Sequence, residues 1–318
     1  MLTEDMTIDG FYSSIDPHIE KTQNPGFLEE LIRDVRFPKN SSAQKLIVSL
    51  GSPIVTKFRM SRRFVDTSLG GFWKEAHDGV FTHEKEYRIL YDLLADDKSR
   101  RTLISMLQYR LTEDMRIYHK EGDFAFKQYF DKKIVSLNDH EVFINCGGYR
   151  GDVTEMFINS VSDFSKTYFY EPDPKNYAIA VDYFSDWQKD VFNKIVFRNC
   201  GIGKENGTTS FDPNESEDSH ISETGAATIQ IVSLDEDIRE PVSFIKMDIE
   251  GFERDALEGA KNHITSDHPK LAISVYHKPD DLWDIPKLIR EYNPDYTFYL
   301  RQYSPYPWWP CETVIYAV

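Results

Sequence analysis

From about Asp139 onward, short apolar runs alternate with stretches whose apolar residues recur at helical spacing. That alternation predicts βαβ units and a parallel sheet. Seven strands are predicted, at 141–146, 167–171, 195–200, 243–248, 271–277, 296–300 and 313–318. Several lack strict alternation, as expected of strands covered on both faces. Asp173 is placed to cap a helix whose first turn holds Pro174. Phe252, Ala256 and Ala260 share one helical face, and Pro279-Asp280-Asp281 opens another helix. Pro286 lies deep enough in that helix to predict a kink or a restart. About a dozen residues separate Leu300 from Thr313, among them Pro305, Pro307 and Pro310. That is a loop rather than a crossover helix, so the last two strands read as an antiparallel hairpin.

A polar insertion interrupts the pattern between Gly203 and Ile238. Its centre, 214–219, reads as a solvated tip, and 208–211 and 228–232 as a small flap that can pair on either side. Residues 1–138 are less regular. Helices are predicted at 26–37 and 84–110, the second carrying Leu90, Leu93, Leu94, Leu103, Ile104 and Leu107. The chain therefore divides into a mostly helical cap or dimerisation region, 1–138, and an α/β domain, 139–318, with a homodimer as one expectation.

Composition narrows the functional classes. The 318 residues carry a net charge of −16, with 53 acids against 37 Lys and Arg. A general nucleic-acid binder needs a basic face for phosphates, and a peripheral protein on an anionic membrane needs one too. Hydrophobic residues at 40% and aromatics at 14% suffice for a sizeable core. Cys146, Cys200 and Cys311 are odd in number and far apart, which excludes a disulfide framework or a structural zinc site and fits a reducing compartment. With no basic, apolar leader at the N-terminus and no run of about 18 apolar residues, a cytoplasmic protein without a membrane span is expected.

The strongest motif runs from Val142 to Asp152: a strand, then Gly147-Gly148-Tyr149-Arg150-Gly151, then a helix start. Phe169-Tyr170-Glu171 follows, an apolar strand ending on a carboxylate 24 positions after Gly147. Glycines let backbone approach a ligand, a helix N-terminus faces it, and the acid accepts hydrogen bonds from both ribose hydroxyls. The blander reading of the glycines is a tight strand–helix turn, and of Glu171 a solvated strand end. The terminal hairpin favours S-adenosylmethionine (SAM) over a dinucleotide, because a NAD-binding domain keeps its sixth strand parallel.

Six stretches in order resemble the FkbM-type methyltransferases: Asn145 to Asp152, Tyr170-Glu171-Pro172, Asn199-Cys200-Gly201-Ile202-Gly203, Ser233-Leu234-Asp235, Phe244 to Gly251 and Ala272 to Pro279. The resemblance covers about 141–318. It implies a Rossmann-like SAM methyltransferase fold: a mostly parallel seven-stranded sheet ending in an antiparallel hairpin. It also implies O-methylation of a sugar or glycan hydroxyl. The family places an acid where this chain has Asn145, and Asn where it has Tyr149; Asn145 supplies no counter-charge to the methionine end of SAM. Cofactor contacts are expected from Asn145, Gly147, Gly148, Tyr149, Gly151, Asp152, Glu171 and Pro172. Asn199, Cys200, Gly201 and Ile202 would lie against the adenine, with Asp248 near the methionine amino group.

Lys246, Asp248 and Glu250 alternate at the end of the fourth main strand, which puts them on one face. They read as lining the acceptor pocket; a Lys246–Asp248 ion pair and Glu250 as a helix cap are the bland alternatives. His277 is the candidate general base, since its ordinary pKa is near neutrality, or else a structural histidine. A metal held by Asp248, Glu250 and His277 fits the donor types, but the spacing is not diagnostic and no metal is assigned. The aromatic run 303–310 reads as core packing or a sugar platform, and the basic run 57–63 as a solvated face or an anion grip. The leading reading is a SAM-dependent O-methyltransferase. A catalytically silent SAM-fold protein that binds a glycan or partner enzyme is the alternative, and a NAD-dependent oxidoreductase the third.

Overall fold

The computed structural model describes residues 6–15, 70–112, 114, 117, 119–123, 128–212, 220–221, 227–303 and 311–318. The helix expected at 26–37, the basic run 57–63, the tip at 214–219 and the aromatic run after Tyr303 lie outside the described residues.

The strands are β1 (Val142–Cys146), β2 (Lys166–Tyr170), β3 (Ile195–Arg198), β4 (Gly201–Ile202), β5 (Gly207–Asp212), β6 (His220–Ile221), β7 (Ala227–Val232), β8 (Phe244–Met247), β9 (Lys270–Ser274), β10 (Phe298–Gln302) and β11 (Thr313–Ala317). Seven of them form one sheet in the order β10-β11-β9-β8-β1-β2-β3. The five from β9 to β3 are parallel, and β11 runs antiparallel between β9 and β10. The expected hairpin is therefore present. The expected flap is present too: β5 pairs antiparallel with β7, and β4 and β6 complete a four-stranded sheet.

Both faces of the large sheet are buried, which is why its strands lack polar alternation. Ile144, Cys146, Ile245, Met247, Ile273 and Ile315 face one core. Phe143, Phe244 and Tyr316 face the other, where Phe157 stacks on Phe143 at 4.4 Å and Phe130 meets both phenylalanines edge-on.

The helices used below are α1 (Ile8–Ser14), α2 (Gly70–Thr82), α3 (Glu84–Leu93), α4 (Asp97–Thr112), α5 (Asp152–Ile158), α6 (Pro174–Ser185), α7 (Glu253–Glu258), α8 (Lys261–Ser266) and α9 (Asp281–Tyr292). The single helix expected at 84–110 is two. Asp96 Oδ1 accepts from the Ser99 amide at 2.8 Å and starts α4 afresh. The extended residues before it cover the sheet edge: the Ala95 amide reaches the Phe298 carbonyl at 2.9 Å, and Ser99 Oγ accepts from the Leu300 amide at 3.0 Å. An edge strand is thereby closed to further pairing. Leu90, Leu94, Leu103 and Leu107 from these helices enter the same core as Ile144 and Ile273. Of the kink or restart expected at Pro286, the restart is absent. One helix runs through it, with the proline buried on the core side, where packing compensates a lost backbone bond.

Candidate active site

The loop after β1 is held from two sides. The amides of Gly147 and Gly148 donate to the Tyr170 carbonyl at 3.1 and 2.8 Å. From β8, the buried Lys246 ammonium donates to the carbonyls of Cys146 and Gly147 at 3.1 and 2.8 Å. Its burial pulls its pKa down. The ion pair with Asp248 is thus not how Lys246 satisfies its protons. Gly147 has φ +77°, and a Cβ there would stand 1.9 Å from the Asp248 carbonyl oxygen. At Gly148 a Cβ would stand 2.2 Å from the Phe169 ring. The atoms that exclude a side chain at both positions belong to the protein, so the tight turn accounts for these glycines. Gly151 sits in a left-handed conformation before α5, and Asp152 is exposed in that helix's first turn.

Glu171 lies one residue beyond β2 and is 6% exposed. Its Oε2 accepts from the Tyr149 amide at 2.7 Å and its Oε1 from the Asp173 amide at 2.8 Å. Burial pushes its pKa up to about 7, against the lowering effect of those two amides. A carboxylate offers about four acceptor positions, so capacity remains for two further donors. Asn199 braces the backbone here, donating to the carbonyls of Glu171 and Pro172 at 2.8 and 3.2 Å. Asp173 caps α6 through the amides of Lys175 and Asn176, as expected. Cys200 and Ile202 are buried in the core, and Gly201 with Ile202 forms β4, so the apolar wall expected of Ile202 faces inward. Asn145 is fully buried. Its amide donates to Thr154 Oγ1 at 3.0 Å, and its Oδ1 has no partner among the described residues.

Asp248, one residue past β8, is the hub of the adjoining cluster. Tyr129 donates to its Oδ2 at 2.8 Å and Tyr276 to its Oδ1 at 3.2 Å. Burial works against its charge, yet Lys246 and His277 hold its pKa below the usual range. The Lys246 ammonium also lies 5.1 Å from the Tyr129 ring centre, a cation–π contact. His277 falls three residues beyond β9 rather than ending it, with its side chain 8% exposed. Its Nδ1 meets Glu253 Oε1 at 2.8 Å; its Nε2 lies 3.5 Å from Asp248 Oδ1 and 3.6 Å from Glu250 Oε2. Burial alone would lower its pKa, but Glu253, Asp248 and Glu250 together raise it to about 10. The imidazole is thus protonated at neutral pH, which removes the near-neutral titration that suggested a general base. Glu253, not Glu250, is the carboxylate anchored at the start of α7, whose N-cap carries no side-chain hydrogen bond. It is completely buried and also accepts from the Ile249 amide at 2.8 Å. One donor atom from each of Asp248, Glu253 and His277 lies within 4.8 Å of the others.

The parallel strands thus bring Gly147, Tyr149, Glu171, Lys246, Asp248, Glu250 and His277 to one edge of the sheet, as expected from sequence. Five residues in the cluster escaped that reading. Glu253 carries a signal, being one helical turn after Glu250. Tyr276 adjoins His277. Glu312 stands just before β11, whose reversed direction starts it where the parallel strands end; burial and the Asp248 charge raise its pKa to about 7. Gln128 donates to Glu312. Tyr129 lies far from every motif and nothing in the sequence marks it. Among the described residues, five non-glycine residues have positive φ, and four of them, Tyr129, Tyr149, Glu250 and Glu312, sit along this edge. Such backbone strain concentrates at functional sites.

A mostly parallel sheet with its last strand inserted antiparallel, carrying a glycine loop after β1 and a buried acid after β2, is the Rossmann-like methyltransferase fold. Residues 145–302 match the family described as Methyltransferase FkbM domain, so this region of the chain carries an FkbM-type methyltransferase domain. The fold is similar to that of the methyltransferase FkbM from Methylobacillus flagellatus KT, at 29% identity and a TM-score of 0.65. That match covers 76% of this chain and 60% of that one, so this chain spans about three fifths of its length. Looser likenesses are to a putative rRNA-methylase from Clostridium thermocellum (8% identity, TM-score 0.41, 62% of this chain and 94% of that one) and a putative methyltransferase from Streptococcus mutans in complex with SAH (12%, 0.37, 60% and 95%). No curated protein matches the sequence significantly. Among the described residues, no helix is long and apolar enough to cross a membrane.

Proposed function

We propose that the protein is a SAM-dependent O-methyltransferase acting on a hydroxyl of a sugar or glycan-type acceptor. The observation that carries the cofactor is Glu171: a buried carboxylate beside the β1 loop, with two acceptor positions filled by amides and two available for a diol. The loop from Gly147 to Gly151 lies beside it, where the methionine end would sit. When bound, SAM supplies a methyl group already activated on a sulfonium. The protein's part is then alignment and exclusion of water. Asp248, Glu250, Glu312, Tyr129 and Tyr276 form a border of hydrogen-bonding groups suited to a polyhydroxylated acceptor. Lys246 fixes the loop that separates this border from Glu171. The acidic chain supports a small acceptor over a nucleic acid.

Calorimetric titration with SAM and with NAD, on the protein and on Glu171→Ala, tests the cofactor. Micromolar SAM binding lost in the variant supports the reading. NAD binding without SAM binding refutes it, and binding of neither leaves the silent-scaffold alternative. Labelled SAM offered to glycan fractions then tests the acceptor.

A further inference from the structure

We propose that Glu312 is the general base of the reaction, taking the proton from the acceptor hydroxyl. The assignment rests on the O-methyltransfer reading. The other groups at this edge are committed elsewhere. His277, the base expected from sequence, is charged at neutral pH and has no lone pair to offer. Both oxygens of Asp248 are held by phenols, Tyr129 at 2.8 Å and Tyr276 at 3.2 Å. Glu253 is completely buried and bonded to His277 and the Ile249 amide. Glu250 spends its charge on His277, 3.6 Å away.

Glu312 is placed and held as a base requires. β11 lies beside β9, and β9 beside β8, so Asp248, Tyr276 and Glu312 stand on three successive strand ends, about 4.8 Å from one to the next. Glu312 is partly buried and has a φ of +61°, a conformation that functional sites retain at a cost. Gln128 donates to its Oε2, and among the described residues no other donor reaches this carboxyl, so Oε1 is left to accept a proton. The second amide hydrogen of Gln128 goes to the Tyr129 hydroxyl at 2.9 Å, which fixes the amide in place. Burial and the Asp248 charge raise the carboxyl to a pKa of about 7, over the opposing effects of Gln128, His277 and Lys246. Tyr129 and Tyr276 face it as neutral phenols. A base poised near the working pH transfers protons most effectively. Glu312 Oε1 takes the hydroxyl proton as the acceptor oxygen bonds to the methyl carbon. The electron pair of the breaking carbon–sulfur bond stays on sulfur, and the carboxylic acid then yields its proton to water.

Glu312→Gln keeps the size of the side chain and removes the base; thermal denaturation checks its fold. Carbon-13 NMR of the side-chain carboxyls, on the full chain without ligands, identifies Glu312 as the signal missing from the variant. That signal should titrate near pH 7. Methyl transfer from saturating labelled SAM to the reactive glycan fraction should fall about a hundredfold or more in the variant, with SAM affinity within threefold. Wild-type rate should rise about tenfold per pH unit below 7 and level off above it. Glu312→Gln should lose this limb, and Glu312→Asp should recover part of the rate. Titration of Glu312 below pH 5, with or without an acceptor in hand, overturns the proposal, and so does a Glu312→Gln rate within threefold of the wild type. A wild type that binds no SAM fails the cofactor reading first and takes this assignment with it.

Discussion

Replacing Glu171 with Gln isolates the charge that is proposed to hold the cofactor's ribose. In the ligand-free protein, burial places this carboxyl at a pKa of about 7. Two hydroxyl donors favour the ionised form, so binding must draw the group to its carboxylate state. At pH 6 about one tenth of the molecules hold the charge and at pH 8 about nine tenths, so affinity should rise about tenfold across that interval. At pH 7, binding should release about half a proton, read from calorimetry in two buffers of different ionisation enthalpy. Glu171→Gln should bind SAM more weakly and lose this slope, and any slope it keeps belongs to titration of SAM itself. Equal slopes in the two proteins, or wild-type affinity that falls as pH rises, would refute the reasoning.

The same group carries a stability consequence with a definite sign. Its folded pKa lies above the unfolded value of 4.5, so the folded state binds more protons between pH 4.5 and 7. The contribution is complete below pH 4.5 and is lost as pH rises through about 7. A shift of this size corresponds to about 3 kcal/mol. Above pH 8, Glu171→Gln should therefore be more stable than the wild type in urea titration, and SAM should reverse the order.

Further substitutions test how the site is held. Gly147→Ala meets both a positive φ and a carbonyl 1.9 Å away, and should cost about 3 kcal/mol in denaturant titration and abolish SAM binding. Tyr129→Phe removes a donor to Asp248 and should cost about 1 kcal/mol while leaving SAM affinity within threefold. Arg301 Nη2 pairs with Asp96 Oδ2 at 2.6 Å under the sheet edge, and Asp96 is about a third exposed, so Arg301→Ala should cost about 2 kcal/mol after allowance for solvent screening. Burial opposes the Asp96 charge, but Arg301 and Ser99 outweigh it and lower its pKa from 3.8 to about 2. That contribution is present above pH 3.8 and is lost as pH falls toward 2, so the gap between wild type and Arg301→Ala should narrow in acid.

Local signals were readable where chemistry and chain direction coincide. The glycine loop, Glu171 and Asp248 follow strands whose apolar runs mark them, and the short proline-rich connection before Thr313 revealed the reversed last strand. Strand ends were less legible. Glu171, Asp248 and His277 look like strand termini because they continue apolar runs, yet each lies in the turn beyond, where Tyr149 and Glu250 bend the backbone into a left-handed conformation. The break between α3 and α4 was hidden because helical spacing continues across it. Asp96 ends the first helix for a tertiary reason, the docking of Ala95 and Ser99 on β10. Tyr129 contributes through a contact 119 positions away in sequence, which no local pattern records.

Chain reversal at β11 explains why this edge of the sheet is so crowded with acid. Parallel strands present their carboxyl ends together, and here they deliver Glu171 and Asp248 with the turns beyond them. A parallel final strand would have carried its preceding residue to the opposite edge. Because β11 runs the other way, Glu312 starts at the same edge, close enough for the Asp248 charge to raise its pKa to about 7. Lys246 and His277 are the cations whose charge bears on Asp248 and Glu312. Lys246 is committed to two carbonyls. An edge with this balance suits a positively charged ligand, such as the sulfonium proposed to lie beside the loop, and the reversed strand adds Glu312 to it.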